Sequence, residues 1–150
     1  MEDNGNKGFT LLELIIVIAI MAVLVGFIVP MYIRYVEKSK LANDKQLVYA
    51  IHNALAAAIM DENIADRPLG GVPPVKLEEL DDPVGSYYYH DFIEEFKGFV
   101  QVDDIESLKK GLKSKDYKGQ DIIVEINGTT QQVKVTVDNN VSGGDKIEIE

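Results

Sequence analysis

The side chain with the most chemical consequence in this sequence is Glu13, a carboxylate set between Leu12 and Leu14 at the head of an apolar run. From Leu14 to Ile33 the one ionisable group is the Tyr32 phenol. A carboxylate in such surroundings loses its hydration and needs a proton or a partner cation, unless it lies at the lipid headgroup boundary. Other residues able to do chemistry are sparse. His52 and His90 are the two histidines and there is no cysteine, so thiolate chemistry and disulfides are excluded and a zinc site is not expected. Asp138, Asn139, Asn140 and Asp145 offer oxygens of the kind calcium takes, but their spacing fits no calcium loop and reads as Asx-rich turns. No Ser/His/Asp or Cys/His set and no phosphate-cradling glycine loop stands out, and the carboxylates are spread over the chain. The sequence is therefore not read as an enzyme, and no metal or cofactor is expected.

These residues need elements to position them. The uncharged run from Leu14 to Ile33 holds about 20 residues, which at a helical rise of about 1.5 Å each cross the hydrocarbon core of a bilayer. Within it Gly26 and Pro30 weaken the helix, Pro30 because it lacks an amide hydrogen and crowds the preceding turn, so a bend or local melting is expected there. Beyond Ile33 the pattern turns amphipathic without breaking. Val36, Leu41, Leu47, Val48, Ile51, Leu55 and Ile59 fall near helical spacing, with Glu37, Lys38, Lys40, Asn43, Asp44 and Lys45 between them. One helix from Phe9 to about Met60, roughly 75 to 80 Å long, is expected. His52 on it reads as a packed or surface histidine.

From Asp61 to Tyr89 the periodicity dissolves. Arg67-Pro68-Leu69-Gly70-Gly71-Val72-Pro73-Pro74 reads as a turn-rich linker, followed by at most one helical turn at Leu77 to Leu80. Tyr87-Tyr88-Tyr89-His90 is read as a half-buried strand or loop packing on the helix, and Glu94 to Val102 fits either a strand or a helix end. Ile105, Leu108 and Leu112 make a short amphipathic helix capped by Asp103 or Asp104. Its lysines, Lys109, Lys110, Lys113 and Lys115, form the one basic cluster and read as a solvated face. Asp121 to Ile126 and Thr130 to Val137 alternate around Asn127-Gly128, the signature of a tight type I′ hairpin. Lys146 to Glu150 adds a third strand. The apolar face of this meander needs a cover, and the amphipathic half of the helix supplies it. The fold class is α+β, a long N-terminal helix packed against a small C-terminal antiparallel sheet.

The stretch Gly8-Phe9-Thr10-Leu11-Leu12-Glu13 and the apolar helix after it resemble the type IV pilin family over the first third of the chain. The resemblance implies cleavage between Gly8 and Phe9 by a membrane aspartyl peptidase, N-methylation of the new Phe9 amine, and assembly of the helix into a filament core. It also implies that Glu13 pairs with the Phe9 amine of a neighbouring subunit, and that a prepilin peptidase/methyltransferase, an assembly platform and an ATPase are partners alongside the membrane and further copies of the chain. The divisions are then 1–8 as leader, 9–35 as transmembrane and filament-core helix, and 36–150 as amphipathic helix plus sheet domain. The subunit would cross the cytoplasmic membrane once and end in a pilus at the cell surface. Many pilins of Gram-negative bacteria close their C-terminal region with a disulfide, and this chain departs from that pattern.

Two further features bear on this expectation. The formal net charge is −10, or −9 without Glu2, Asp3 and Lys7, so direct nucleic-acid binding is not expected. A count of Lys and Arg, with Arg34, Lys38 and Lys40 after the apolar run, would put the C-terminal side in the cytoplasm, whereas the motif puts it outside. A secretory signal is the rival for the N-terminus, but its apolar core is shorter, about 7 to 15 residues, and no Ala-x-Ala site follows here. Adhesion or motility as a pilin is the leading function. A pseudopilin of type II secretion or DNA uptake, and a single-pass anchored binding module, are the alternatives.

Overall fold

The computed structural model describes residues 9–61, 70–81, 87–141 and 143–150. The expected leader lies outside them, as do residues 62–69 and 82–86 of the stretch after Asp61, and Ser142. The chain divides into two units, Met1–Val36 and Glu37–Glu150. In chain order the elements are helix α1 (Leu11–Ile59), strand β1 (Val72–Lys76), a 3-10 turn (Leu77–Asp81), helices α2 (Tyr87–Val100) and α3 (Glu106–Lys110), and strands β2 (Ile122–Ile126), β3 (Val133–Val137) and β4 (Ile147–Ile149). The α+β fold of a long N-terminal helix packed against a small antiparallel sheet is the one the sequence predicts.

In the first unit α1 is exposed on every side from Leu11 to Tyr35. It is long and apolar enough to cross a bilayer. The helix runs without interruption through Gly26 and Pro30. Pro30 has no amide hydrogen to give the carbonyl four residues earlier, which belongs to Gly26. A glycine there is the residue least obstructed by the proline ring, and nothing lies within 4 Å of the place its Cβ would take.

The second unit is built on a sheet of order β1-β2-β3-β4 among the described residues, antiparallel throughout. Alternation decides which face is buried. Ile122, Val124 and Ile126 pair with Val137, Val135 and Val133, and all six are buried together with Ile147 of β4. The opposite face carries Glu125 opposite Lys134, and the Lys134 ammonium reaches both Glu148 and Glu150 at 2.8 Å. Val48, Ile51, Leu55 and Ala58 of α1 join the same core. Phe92, Ile93 and Phe96 of α2 complete it.

Three expectations are corrected. The linker read through Val72 and Pro74 is instead strand β1, on the sheet edge. Proline cannot donate to a ladder, so it is tolerated at an edge, and the register slips between Val72 and Val75, where Pro73 and Pro74 sit. Tyr87 to His90 begin α2 rather than a strand or loop, and Glu94 to Val100 continue it. Gln101, at φ 56, ends the helix, and the Val102 amide turns back to the Lys97 carbonyl at 3.2 Å. Finally, the hairpin is not a two-residue turn. β2 stops at Ile126 and β3 starts at Val133, and the Gln131 amide bonds the Asn127 carbonyl at 2.8 Å across a wider loop.

Gly128 explains that wider loop. A Cβ on it would lie 2.8 Å from the carbonyl carbon and oxygen of Gly70 and the nitrogen of Gly71. Its backbone is therefore a contact surface for the chain entering β1. Asn127 does the turning instead, its Oδ1 accepting the amides of Thr129 and Thr130 at 2.9 and 3.0 Å.

Candidate assembly site

The head of α1 is closed by a reciprocal cap between Thr10 and Glu13. The first turns of a helix leave amides without intrahelical partners, and Thr followed three residues later by Glu answers this locally. The Glu13 amide donates to Thr10 Oγ1 at 3.2 Å, and the Thr10 amide donates back to Glu13 Oε2 at 2.8 Å. The Thr10 hydroxyl donates to that same oxygen at 2.9 Å. Sequence reasoning singled out Glu13 for its charge and missed this second role, although Thr10-x-x-Glu13 is the pattern that reveals it. Glu13 Oε1 takes no hydrogen bond among the described residues.

Phe9 stands just before this cap and is 88% exposed. Below it Leu11, Leu12 and the run from Leu14 to Ile33 present apolar side chains on all faces of the helix. No charged residue interrupts them until Arg34. Gly8 lies outside the described residues. The arrangement offers one carboxylate oxygen free to accept, at the end of an apolar surface with nothing covering it.

The second unit secures its own part of α1 by two carboxylates that sequence periodicity treated as solvent-facing. Glu37 and Asp44 are seven residues apart, two helical turns, and so share a face. Asp44 Oδ1 accepts the Lys113 amide at 2.8 Å and Oδ2 accepts the Ser114 amide at 2.9 Å. Glu37 Oε1 accepts the Lys115 amide at 2.8 Å. That bond, with Lys40 beside it, holds the Glu37 carboxyl below its ordinary value. The segment after α3 is thus tied to the helix by charge-assisted bonds, and Asp44 is fully buried.

The remaining candidates are engaged structurally. The ring of His52 meets the Val133 carbonyl through Nε2 at 3.2 Å, joining α1 to β3. His90 is exposed on α2. Asp104 serves α3, its Oδ1 accepting the Glu106 amide at 2.9 Å. Asp138 pairs with Lys146 at 3.0 Å, and Asn139 Oδ1 accepts the Val141 amide at 2.8 Å. The Asn140 amide group donates to the carbonyls of Lys115 and Lys118, and Gln120 donates to its Oδ1. The Asp145 carbonyl accepts the Tyr117 hydroxyl at 2.8 Å. These Asx residues bind their own loops together. Of the lysine cluster, Lys109 shares Asp121 with Lys76, and Lys110 pairs with Glu106.

Comparison with known proteins bears on the same N-terminal residues. The family model described as the prokaryotic N-terminal methylation motif matches residues 3–29. A type IV major alpha-pilin of Moraxella bovis is 40% identical over 76 residues, 51% of this chain and 42% of its own. Type IV major fimbrial protein FimA of Dichelobacter nodosus is 33% identical over 62 residues, 41% of this chain and 39% of its own. A fimbrial protein of the same organism is 38% identical over 56 residues, 37% and 35% of the two chains. The chain thus spans about two fifths of the length of the curated relatives it matches. No solved structure matches it significantly. The methylation motif thus falls on the residues that cap and open the exposed apolar helix, and over part of its length the chain is similar to type IV pilins and fimbrial proteins.

Proposed function

We propose that this chain is a structural subunit of a type IV pilus-like filament, cut between Gly8 and Phe9, N-methylated at Phe9 and assembled through α1. The observation that carries this reading is the bare apolar surface from Leu11 to Ile33, headed by one carboxylate with an uncommitted oxygen. Such a surface is stable in lipid or against like helices, and in water it is not. In the precursor α1 spans the cytoplasmic membrane once, with residues 1–8 as leader. A prepilin peptidase/methyltransferase trims it, and an assembly platform and ATPase move it into the filament. Residues 9–35 then form the filament core and the rest of the chain its surface. Burial against neighbouring helices at about 25 cal/mol per Å² drives the association.

In that packing Glu13 Oε1 receives the Phe9 amine of an adjacent copy. An ammonium and a carboxylate that are each costly in apolar surroundings recover much of that cost only by meeting, so the pair sets the axial stagger. Gly26 and Pro30 mark where α1, lacking one backbone bond, bends as it packs. Intact-mass and N-terminal fragment analysis of sheared surface filaments tests the proposal. The expected product begins at Phe9 and carries one methyl group on its amine. A monomeric membrane protein retaining Met1 would overturn it and favour an anchored binding module.

A further inference from the structure

The described cations divide into two sets. Seven lysines each have a carboxylate partner within 4.0 Å. Five lysines have none among the described residues: Lys38, Lys45, Lys113, Lys115 and Lys118, all exposed. They are gathered in one region. Lys38 and Lys45 adjoin Glu37 and Asp44 in sequence, and those two carboxylates hold the amides of Lys113, Ser114 and Lys115. The Lys118 amide bonds the Ser114 carbonyl at 3.0 Å. The remaining unpaired cation, Arg34, directly follows Ile33 in the chain.

Chain length limits how far the region can lie from the end of the apolar run. Glu37 is four residues beyond Ile33, about 6 Å along a helix and no more than about 14 Å if fully extended. Lys115 is hydrogen-bonded to Glu37, so the four-residue link and this bond keep its amide near the layer where a membrane-embedded Ile33 would end. In a chain of net charge −10, repulsion from an anionic surface is the default, and this is where unneutralised positive charge has been concentrated.

We infer that Lys38, Lys45, Lys113, Lys115 and Lys118 form a docking surface for the phosphates of anionic lipid headgroups, engaged while α1 is in the bilayer. The inference rests on the reading of α1 as membrane-spanning and not on the filament. Lysines near an anionic bilayer gain from its surface potential, and the gain disappears within a Debye length. The segment after α3 would then rest on the headgroups until the subunit is withdrawn.

The test uses the full chain in lipid nanodiscs, of phosphatidylcholine alone or with phosphatidylglycerol. Lysine acylation by a water-soluble ester is read by peptide mass spectrometry. Lys134, paired with Glu148 and Glu150, and Lys146, paired with Asp138, serve as internal references. Labelling of Lys113, Lys115 and Lys118 is expected to slow by about threefold or more in the anionic discs, with the references unchanged. About 0.5 M sodium chloride is expected to restore it. Equal rates in the two lipids would overturn the proposal. So would slowing that tracks the number of protein copies per disc, which assigns the surface to a second copy. Slowing reproduced in phosphatidylcholine discs by inorganic phosphate or duplex DNA would assign it to a soluble polyanion instead and equally overturn it. A chain that does not enter the discs at all removes the membrane reading itself, an outcome seen by co-elution before any labelling.

Discussion

Asp44 and Ser114 are both fully buried, seventy residues apart in sequence, and joined by a 2.9 Å bond from the Ser114 amide to Asp44 Oδ2. With the second bond from Lys113, the carboxylate has taken over two amides that would otherwise be orphaned against the helix. Removing one partner of such a set costs more than the net worth of the bonds, because the other stays buried without hydration. Asp44→Ala is expected to destabilise the second unit by about 2 to 4 kcal/mol in urea unfolding. Ser114→Ala is the matched control. Its hydroxyl is buried without a hydrogen-bond partner among the described residues, so the variant keeps the amide and is expected to be neutral or stabilising by about 1 kcal/mol. Equal losses in the two variants would mean that volume, and not the carboxylate, holds this contact.

The approach of Gly128 to Gly70 and Gly71 makes a second prediction. Gly128→Ala places a methyl 2.8 Å from backbone atoms that cannot swing away, so the β2–β3 loop or the entry to β1 must shift. A loss of about 1 to 3 kcal/mol is expected by thermal or urea unfolding. Gly98→Ala on α2, where nothing lies within 4 Å, is expected to gain about 0.5 to 1 kcal/mol from helix preference. The opposite signs separate crowding from backbone entropy.

Acid should weaken the second unit through Asp121. Lys109 first and then Lys76 hold its carboxyl below the ordinary value. A folded value that is depressed contributes stability that is complete above the unfolded value and lost as pH falls through the folded one. Glu37, held down by the Lys115 amide and Lys40, acts in the same sense. The urea midpoint is therefore expected to stay level from about pH 7 to 5 and to fall below about pH 4. Asp121→Asn is expected to flatten that fall, and high salt to reduce it, because the pair is partly exposed. An unchanged profile in the variant would leave the acid sensitivity to other groups.

What the sequence disclosed and what it withheld follow from the range of the interactions involved. Period and charge sufficed for α1, whose ends fall within two residues of the expected ones, and for β2, β3 and β4, whose alternation is local. Strand β1 was hidden because its two prolines suit an edge position, and an edge exists only once the neighbouring strand is placed. Helix α2 was obscured by three tyrosines, although Phe92, Ile93, Phe96 and Val100 fall at helical spacing. Asp44 looked like one more polar residue on the solvent side of a helix. Its burial depends on amides seventy residues away, which periodicity cannot register. At the head of α1 the charge on Glu13 was legible from its apolar setting, whereas its bond to Thr10 required attention to capping geometry.

In the proposed filament Glu13 has two separable tasks, capping and pairing, and a pair of substitutions tells them apart. Glutamine keeps the reciprocal cap, since its side-chain oxygen accepts the Thr10 amide as glutamate does, but it carries no charge for a neighbouring amine. Alanine loses both. In the proposed filament, Glu13→Gln and Glu13→Ala are both expected to be processed at Gly8–Phe9 and both to assemble poorly, measured as sheared filament mass by electron microscopy and immunoblot. Thr10→Val, which breaks the cap and spares the charge, is expected to retain most assembly. If instead Glu13→Gln filaments were normal and Thr10→Val filaments failed, helix capping would be the function of Glu13, and pairing with Phe9 would have to be abandoned. The comparison rests on one geometric fact, that both Thr10 donors converge on Oε2 and leave Oε1 open. A cap needs one accepting oxygen and no charge; the negative charge, shared by both oxygens, is what an apolar filament core would not tolerate without a cation.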